Sequence, residues 1–199
     1  MKILIIGGNG TIGKRVCSRL KTKHEIIIAG RNSGDLRVNM EDSASIKAMY
    51  EQTSELDAVL CIAGEAKWAP FNDLSEEDFY IGIRSKLMGQ VNLVRIGKDY
   101  LKADGSFTLT TGILADDPVP MTTSAAMVNG AIHSFVLAAA LELERGLRIN
   151  VVSAGLGEDS AEKYKDYFPW HTPIPMNKMV NGYVRSLEGR RTGEIIRIY

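Results

Sequence analysis

Four glycines near the start of the chain, in Gly7-Gly8-Asn9-Gly10-Thr11-Ile12-Gly13, have a type and spacing suited to one kind of chemistry. They follow the apolar run Ile3 to Ile6 and precede a segment with Val16 and Leu20 four residues apart. Glycines between a strand and a helix bind a pyrophosphate when the chain turns sharply at the first. The second lets backbone approach the phosphates, and the third lets helix and strand pack closely. The opened helix adds unpaired N–H groups and the positive end of its dipole. The predicted cofactor-binding residues are therefore Gly7, Asn9, Gly10, Thr11, Ile12 and Gly13, with Ala63 and Gly64 at the end of a later strand. An NAD site has an acidic residue about 20 positions further on, to accept from the ribose 2′-hydroxyl. This chain has Arg31-Asn32-Ser33 there instead. A guanidinium pairs with a 2′-phosphate where a carboxylate would repel it, and Asn32 and Ser33 add neutral donors. Lys14 can bring further charge from the helix start. The cofactor read from these residues is NADP(H).

The elements that must hold this turn alternate along the 199 residues. Strands are expected at Ile3 to Ile6, Glu25 to Gly30, Leu36 to Val38, Asp57 to Cys61, Ser106 to Thr110, Arg148 to Ser153 and Glu194 to Ile198. Helices are expected from Lys14 to Lys21, Ser43 to Gln52, Glu76 to Leu101, Ser124 to Arg145 and Asn177 to Leu187. Glu158 to Pro175 is irregular, with at most one short helix, and is rich in Tyr, Pro, Phe and Trp. Strict alternation of this kind gives βαβ units around a parallel sheet covered on both faces. No linker or repeat divides the chain, so residues 1–199 are expected to form one domain.

Composition sets limits on partners. Lys plus Arg and Asp plus Glu both number 24, so the net charge is zero and nothing recruits nucleic acid or an anionic membrane. The first apolar run is too short for a signal-peptide core, and no other segment is expected to be long and apolar enough to cross a bilayer. Cys17 and Cys61 form no CxxC pair and no metal cluster, and read as reduced thiols of a cytoplasmic protein.

Over its whole length the chain resembles the short-chain dehydrogenase/reductase family. The resemblance rests on Gly7 to Gly13, Ala29-Gly30-Arg31, Asp57 to Gly64, Ser85-Lys86-Leu87-Met88-Gly89, Gly105-Ser106-Phe107, Ala138 to Leu143 and Arg148 to Val152. It implies a Rossmann-type three-layer α/β sandwich with a seven-stranded parallel sheet in the order 3-2-1-4-5-6-7. It also implies a nicotinamide cofactor and a homodimer or homotetramer built through the two long helices. The family's chemistry uses Ser, Tyr and Lys, helped by an Asn. In this chain the Ser position falls on Gly112, the Tyr position on Ala125, the Lys position on Asn129, and the helper Asn on Lys86. Ser124-Ala125-Ala126-Met127-Val128-Asn129-Gly130-Ala131 looks like a small atypical branch with a changed site.

The cofactor half of the pattern is thus kept and the usual proton relay is missing. Lys86 is the leading catalytic candidate, either as an acid or as the group that binds an anionic substrate. Thr111, with Thr110 and Ser124, can bond a carbonyl or the nicotinamide amide, and Asn129 can hold ribose hydroxyls as the family lysine does. His133 and Cys61 read as structural. Phe168, Trp170 and Tyr167 are expected in a lid, with Trp68 and Phe71 on the opposite wall. Two functions compete: an NADP(H)-dependent oxidoreductase acting on a small carbonyl, enone or alcohol, and an inactive NADP(H)-binding sensor or regulatory protein. An isomerase or lyase that uses the cofactor as scaffold is a third.

Overall fold

The computed structural model describes residues 1–199. Seven parallel strands form one sheet: β1 (Lys2–Ile6), β2 (Glu25–Gly30), β3 (Leu36–Arg37), β4 (Leu56–Cys61), β5 (Leu101–Gly112), β6 (Arg148–Ala154) and β7 (Glu194–Ile198). Their order is β3-β2-β1-β4-β5-β6-β7, as the resemblance implied. The sheet is buried on both faces, which is why β1 reads as an unbroken apolar run. Leu4 and Ile6 enter one core with Ile46, Met49, Leu93, Ile132 and Val136. Ile3 and Ile5 point the other way, into a core with Val16, Leu20, Met179 and Tyr183. The first core is closed by α2 (Ser43–Glu51), α4 (Gly89–Gly97) and α5 (Thr123–Glu142), and the second by α1 (Thr11–Leu20) and α7 (Met176–Glu188).

Several boundaries differ from the sequence expectation. Helix α1 begins at Thr11 rather than Lys14, directly on the glycine turn, where glycines hide the apolar period. The expected helix from Glu76 to Leu101 is broken. It comprises α3 (Glu76–Gly82), a π-helical stretch Ile83–Met88, and α4, which stops at Gly97. Gly97 packs against Tyr50, whose hydroxyl a Cβ there would meet at 2.4 Å. The chain then enters β5 at Leu101, earlier than Ser106. Met176 and Glu188 extend α7 at its two ends.

The expectation that no segment is long and apolar enough to cross a bilayer is also corrected. Helix α5 meets that test by length and composition, with mean hydropathy 1.5. Its apolarity has a local use: Ala125, Val128, Ile132 and Val136, spaced by three or four residues, are buried inside the fold. The outward side is apolar too, with Leu137 half exposed and Leu141 87% exposed.

Strand order reverses between β1 and β4, and their C-terminal ends open a crevice there. The glycine turn leaves β1 at this point.

Candidate cofactor and active site

The glycine turn is fixed by close approaches. Gly7 has φ of +80°, and a Cβ there would lie 2.5 Å from the Ile62 carbonyl oxygen. A Cβ on Gly13 would lie 2.2 Å from the Gly7 carbonyl oxygen. Gly10 differs, because a Cβ there would meet only Gly7 O within 4 Å, at a close 3.3 Å, and the position is otherwise open. The N–H groups of Thr11, Ile12 and Gly13 have no acceptor within the protein. No side chain caps α1 and its first turn holds no acidic residue. This is an open, positively polarised cradle of the kind a pyrophosphate fits.

Beside it lies a cleft of about 410 Å³, lined by Gly7, Gly30, Arg31, Asn32, Ala63 and Gly64 among others. The Asn9 side-chain amide donates to Ser33 Oγ at 3.0 Å, which ties the glycine turn to the end of β2. Arg31 reaches Glu41 at 2.9 Å and Glu65 at 3.5 Å. Neither carboxylate is among the residues expected at the site from sequence. A 2′-phosphate on Arg31 would exchange for them. Lys14 is exposed and lines neither this cleft nor the next.

Gly64 and Glu65 also line a second cavity, of about 450 Å³. Its wall includes Thr11 and Ile12 from the glycine turn. It also includes Lys86, Thr111, Gly112, Ala125 and Asn129, so all four positions picked out by the resemblance meet in one place. Lys86 lies in the π-helical stretch, a local widening that re-aims side chains and that recurs at functional sites. It passes close to Gly64, where a Cβ would meet Lys86 Cγ at 2.9 Å. No carboxylate lies within ion-pairing distance of Lys86. Burial brings its ammonium down to about 8, and the nearby Cys61 thiol, itself pushed by burial up to about 12, stays neutral.

Asn129 is buried and its Oδ1 has no partner. Ser124 Oγ is likewise buried and unpaired, beside Gly82. Thr111 departs from the role expected of it: its hydroxyl bonds His133 Nε2 at 2.8 Å and so is committed to α5. Desolvation lowers the His133 pKa. Thr110 is committed as well, donating to the Cys61 carbonyl at 2.6 Å and meeting Tyr183 OH at 2.9 Å.

The far wall is aromatic. Trp68 packs against Tyr164, Tyr167 and Phe168, with ring centroids 5.6, 5.3 and 6.2 Å away. Trp68 thus faces the lid as expected, whereas Phe71 is 67% exposed and does not line the cavity. Trp170 is also outside it. Tyr164, at the end of the short α6 (Ala161–Tyr164), does line it. Distance in sequence concealed this residue, and the density of aromatic residues in Glu158 to Pro175 was the available signal. The lid is tied to α1 by a forked pair, Arg15 to Asp159, at 2.9 and 3.2 Å.

Residues 15–181 match the family model described as Enoyl-(Acyl carrier protein) reductase. The protein is a short-chain dehydrogenase/reductase. This family consists of NAD(P)-dependent oxidoreductases on a Rossmann fold. Among solved structures, this short-chain dehydrogenase/reductase is similar to the protein lin1944 from Listeria innocua. The two are 45% identical with a TM-score of 0.98, over 100% of both chains. It also shares its fold with two structures described as a small-chain dehydrogenase. One, in complex with NADPH, is 24% identical with a TM-score of 0.88; the other is 25% identical with a TM-score of 0.87. Each comparison covers 100% of this chain and 96% of the other. No curated protein matches the chain. Ala125, the position that the resemblance gave to the family's tyrosine, has no group that can donate a proton.

Proposed function

We propose that the protein is an NADP(H)-dependent oxidoreductase that acts on a small carbonyl, enone or alcohol through a site without the family's tyrosine. The observation that carries this is the cradle at Gly10, with three free N–H groups above an open glycine. The preference for NADP(H) over NAD(H) rests on Arg31, Asn32 and Ser33 and on the absence of an acidic residue at the end of β2. A structural neighbour described in complex with NADPH supports it. When bound, the cofactor supplies or accepts the hydride.

The protein's part is orientation and charge. Thr11, Ile12 and Gly13 offer N–H groups to the pyrophosphate, and Asn129 offers its free Oδ1 to a hydroxyl. Lys86 provides an ammonium toward which negative charge develops on the substrate oxygen, in a site partly closed from water. A conjugated substrate can then take its proton from water, so Ala125 need not be replaced by another acid. The free, buried thiols Cys17 and Cys61 support a reducing, cytoplasmic setting. The exposed apolar side of α5 supports association of copies of the chain through the long helices.

Ala125 favours a second reading, an NADP(H)-binding protein without turnover. One experiment separates the two: NADPH binding by calorimetry, followed by NADPH oxidation against a panel of carbonyls and enones. Oxidation with at least one compound, lost in Lys86→Ala, supports the enzyme. Tight binding with no turnover across the panel supports the second reading, and absence of NADPH binding removes both.

A further inference from the structure

The second cavity has an uneven charge balance. Only Lys86 and Glu65 among its lining residues carry charge. Glu65 is 61% exposed and forms no ion pair with Lys86, so water screens its carboxylate whether or not it keeps Arg31, 3.5 Å away. Lys86 has no such partner, and its neighbour Cys61 remains a neutral thiol. From α5 the cavity receives Ala125 and Asn129, and from the lid Tyr164 and Phe168, none of them a carboxylate. A partly buried ammonium without a counter-charge is costly, and an anion bound beside it relieves that cost. The rest of the wall is apolar and partly aromatic, with Trp68 packed against both Tyr164 and Phe168. Such faces pack flat, unsaturated bodies. At 450 Å³ the cavity is at the small end of the range for ligand sites, about 300–1,000 Å³. It must also admit a nicotinamide, so the second ligand is small.

We propose that this cavity binds a small, flat, unsaturated carboxylate, its anionic end on Lys86 and its apolar body against Trp68, Tyr164 and Phe168. Lys86 then fixes one end of the molecule and Asn129 offers its unpaired Oδ1 to a hydroxyl or N–H group nearby. The identification of this ligand as the substrate rests on the oxidoreductase reading; the binding itself does not.

The test uses cinnamate and its uncharged analogue cinnamamide as probes, with and without NADP. Binding is followed by tryptophan fluorescence in a Trp170→Phe background, where Trp68 is the sole tryptophan. Cinnamate is expected to bind at least about tenfold more tightly than cinnamamide at neutral pH, the scale of one charge-assisted contact. Lys86→Met should abolish the difference and Lys86→Arg should restore most of it. The preference should also fade as pH rises above about 8, where Lys86 loses its charge. Equal binding of the two probes, binding of neither, or an unchanged preference in Lys86→Met overturns the proposal. NADP binding is measured in parallel by calorimetry. Normal NADP binding without cinnamate binding defeats this inference alone, whereas cinnamate binding without NADP binding defeats the oxidoreductase reading alone.

Discussion

Arg31 and Lys86 are the two cations at the candidate site, and their surroundings differ. Arg31 is exposed and shared between Glu41 and Glu65, so a 2′-phosphate must displace carboxylates to reach it. Arg31→Asp should weaken NADPH binding by tenfold or more, about 1.4 kcal/mol, while NADH changes little. Equal losses for both cofactors in calorimetry would remove the 2′-phosphate assignment. Lys86 is unpaired, and burial lowers its pKa to about 8 from the ordinary lysine value of about 10.5. The folded protein therefore holds this proton less tightly than the unfolded chain. Its contribution to stability is greatest above the unfolded value, falls as pH drops from about 10.5 to about 8, and is a constant cost below that. Lys86→Met should therefore stabilise the protein at neutral pH by up to roughly 3 kcal/mol, and the gain should shrink between pH 8 and 10.5. Thermal melts across that range test the sign; a destabilised variant at neutral pH contradicts it. Sequence gave access to both residues by type. Their partners were not legible, because Glu41, Glu65 and Cys61 come together with them only through the fold.

At the scale of elements, sequence periodicity identified every strand but misread the helix before β5. Apolar spacing cannot distinguish an α turn from a π turn, and the helix stops at Gly97, where close packing on Tyr50, distant in sequence, leaves no room for a side chain. That misreading matters because Lys86 lies in the π-helical stretch. The lid was legible only as composition. Its aromatic residues were visible, but not the pairing of Trp68 with Tyr164 or the Arg15–Asp159 tie to α1. Exposed ion pairs contribute little to stability. Asp159→Asn should therefore leave Tm nearly unchanged while limited proteolysis cuts faster within Glu158 to Pro175. Equal cleavage rates in the two proteins would show that the pair does not hold the lid.

For the molecule as a whole, sheet order and parallel direction followed from strict alternation of strand and helix and from the family resemblance. The double-sided burial of β1 bears this out in two separate cores. Composition was less reliable for α5. Its apolar outer face, with Leu141 87% exposed, is the reason this helix passes for a membrane span by length and hydropathy. If that face joins copies of the chain, light scattering should show a dimer or tetramer for the protein and a smaller species for Leu141→Asp. A monomer in both cases would leave the exposed face without this role.

The glycine turn, with Arg31 at its rim, should hold NADP(H), and calorimetric titration with NADPH and with NADH measures this. One site per chain is expected, with NADPH binding tighter than NADH by about tenfold or more. No heat with either cofactor, or equal affinity for both, would contradict it.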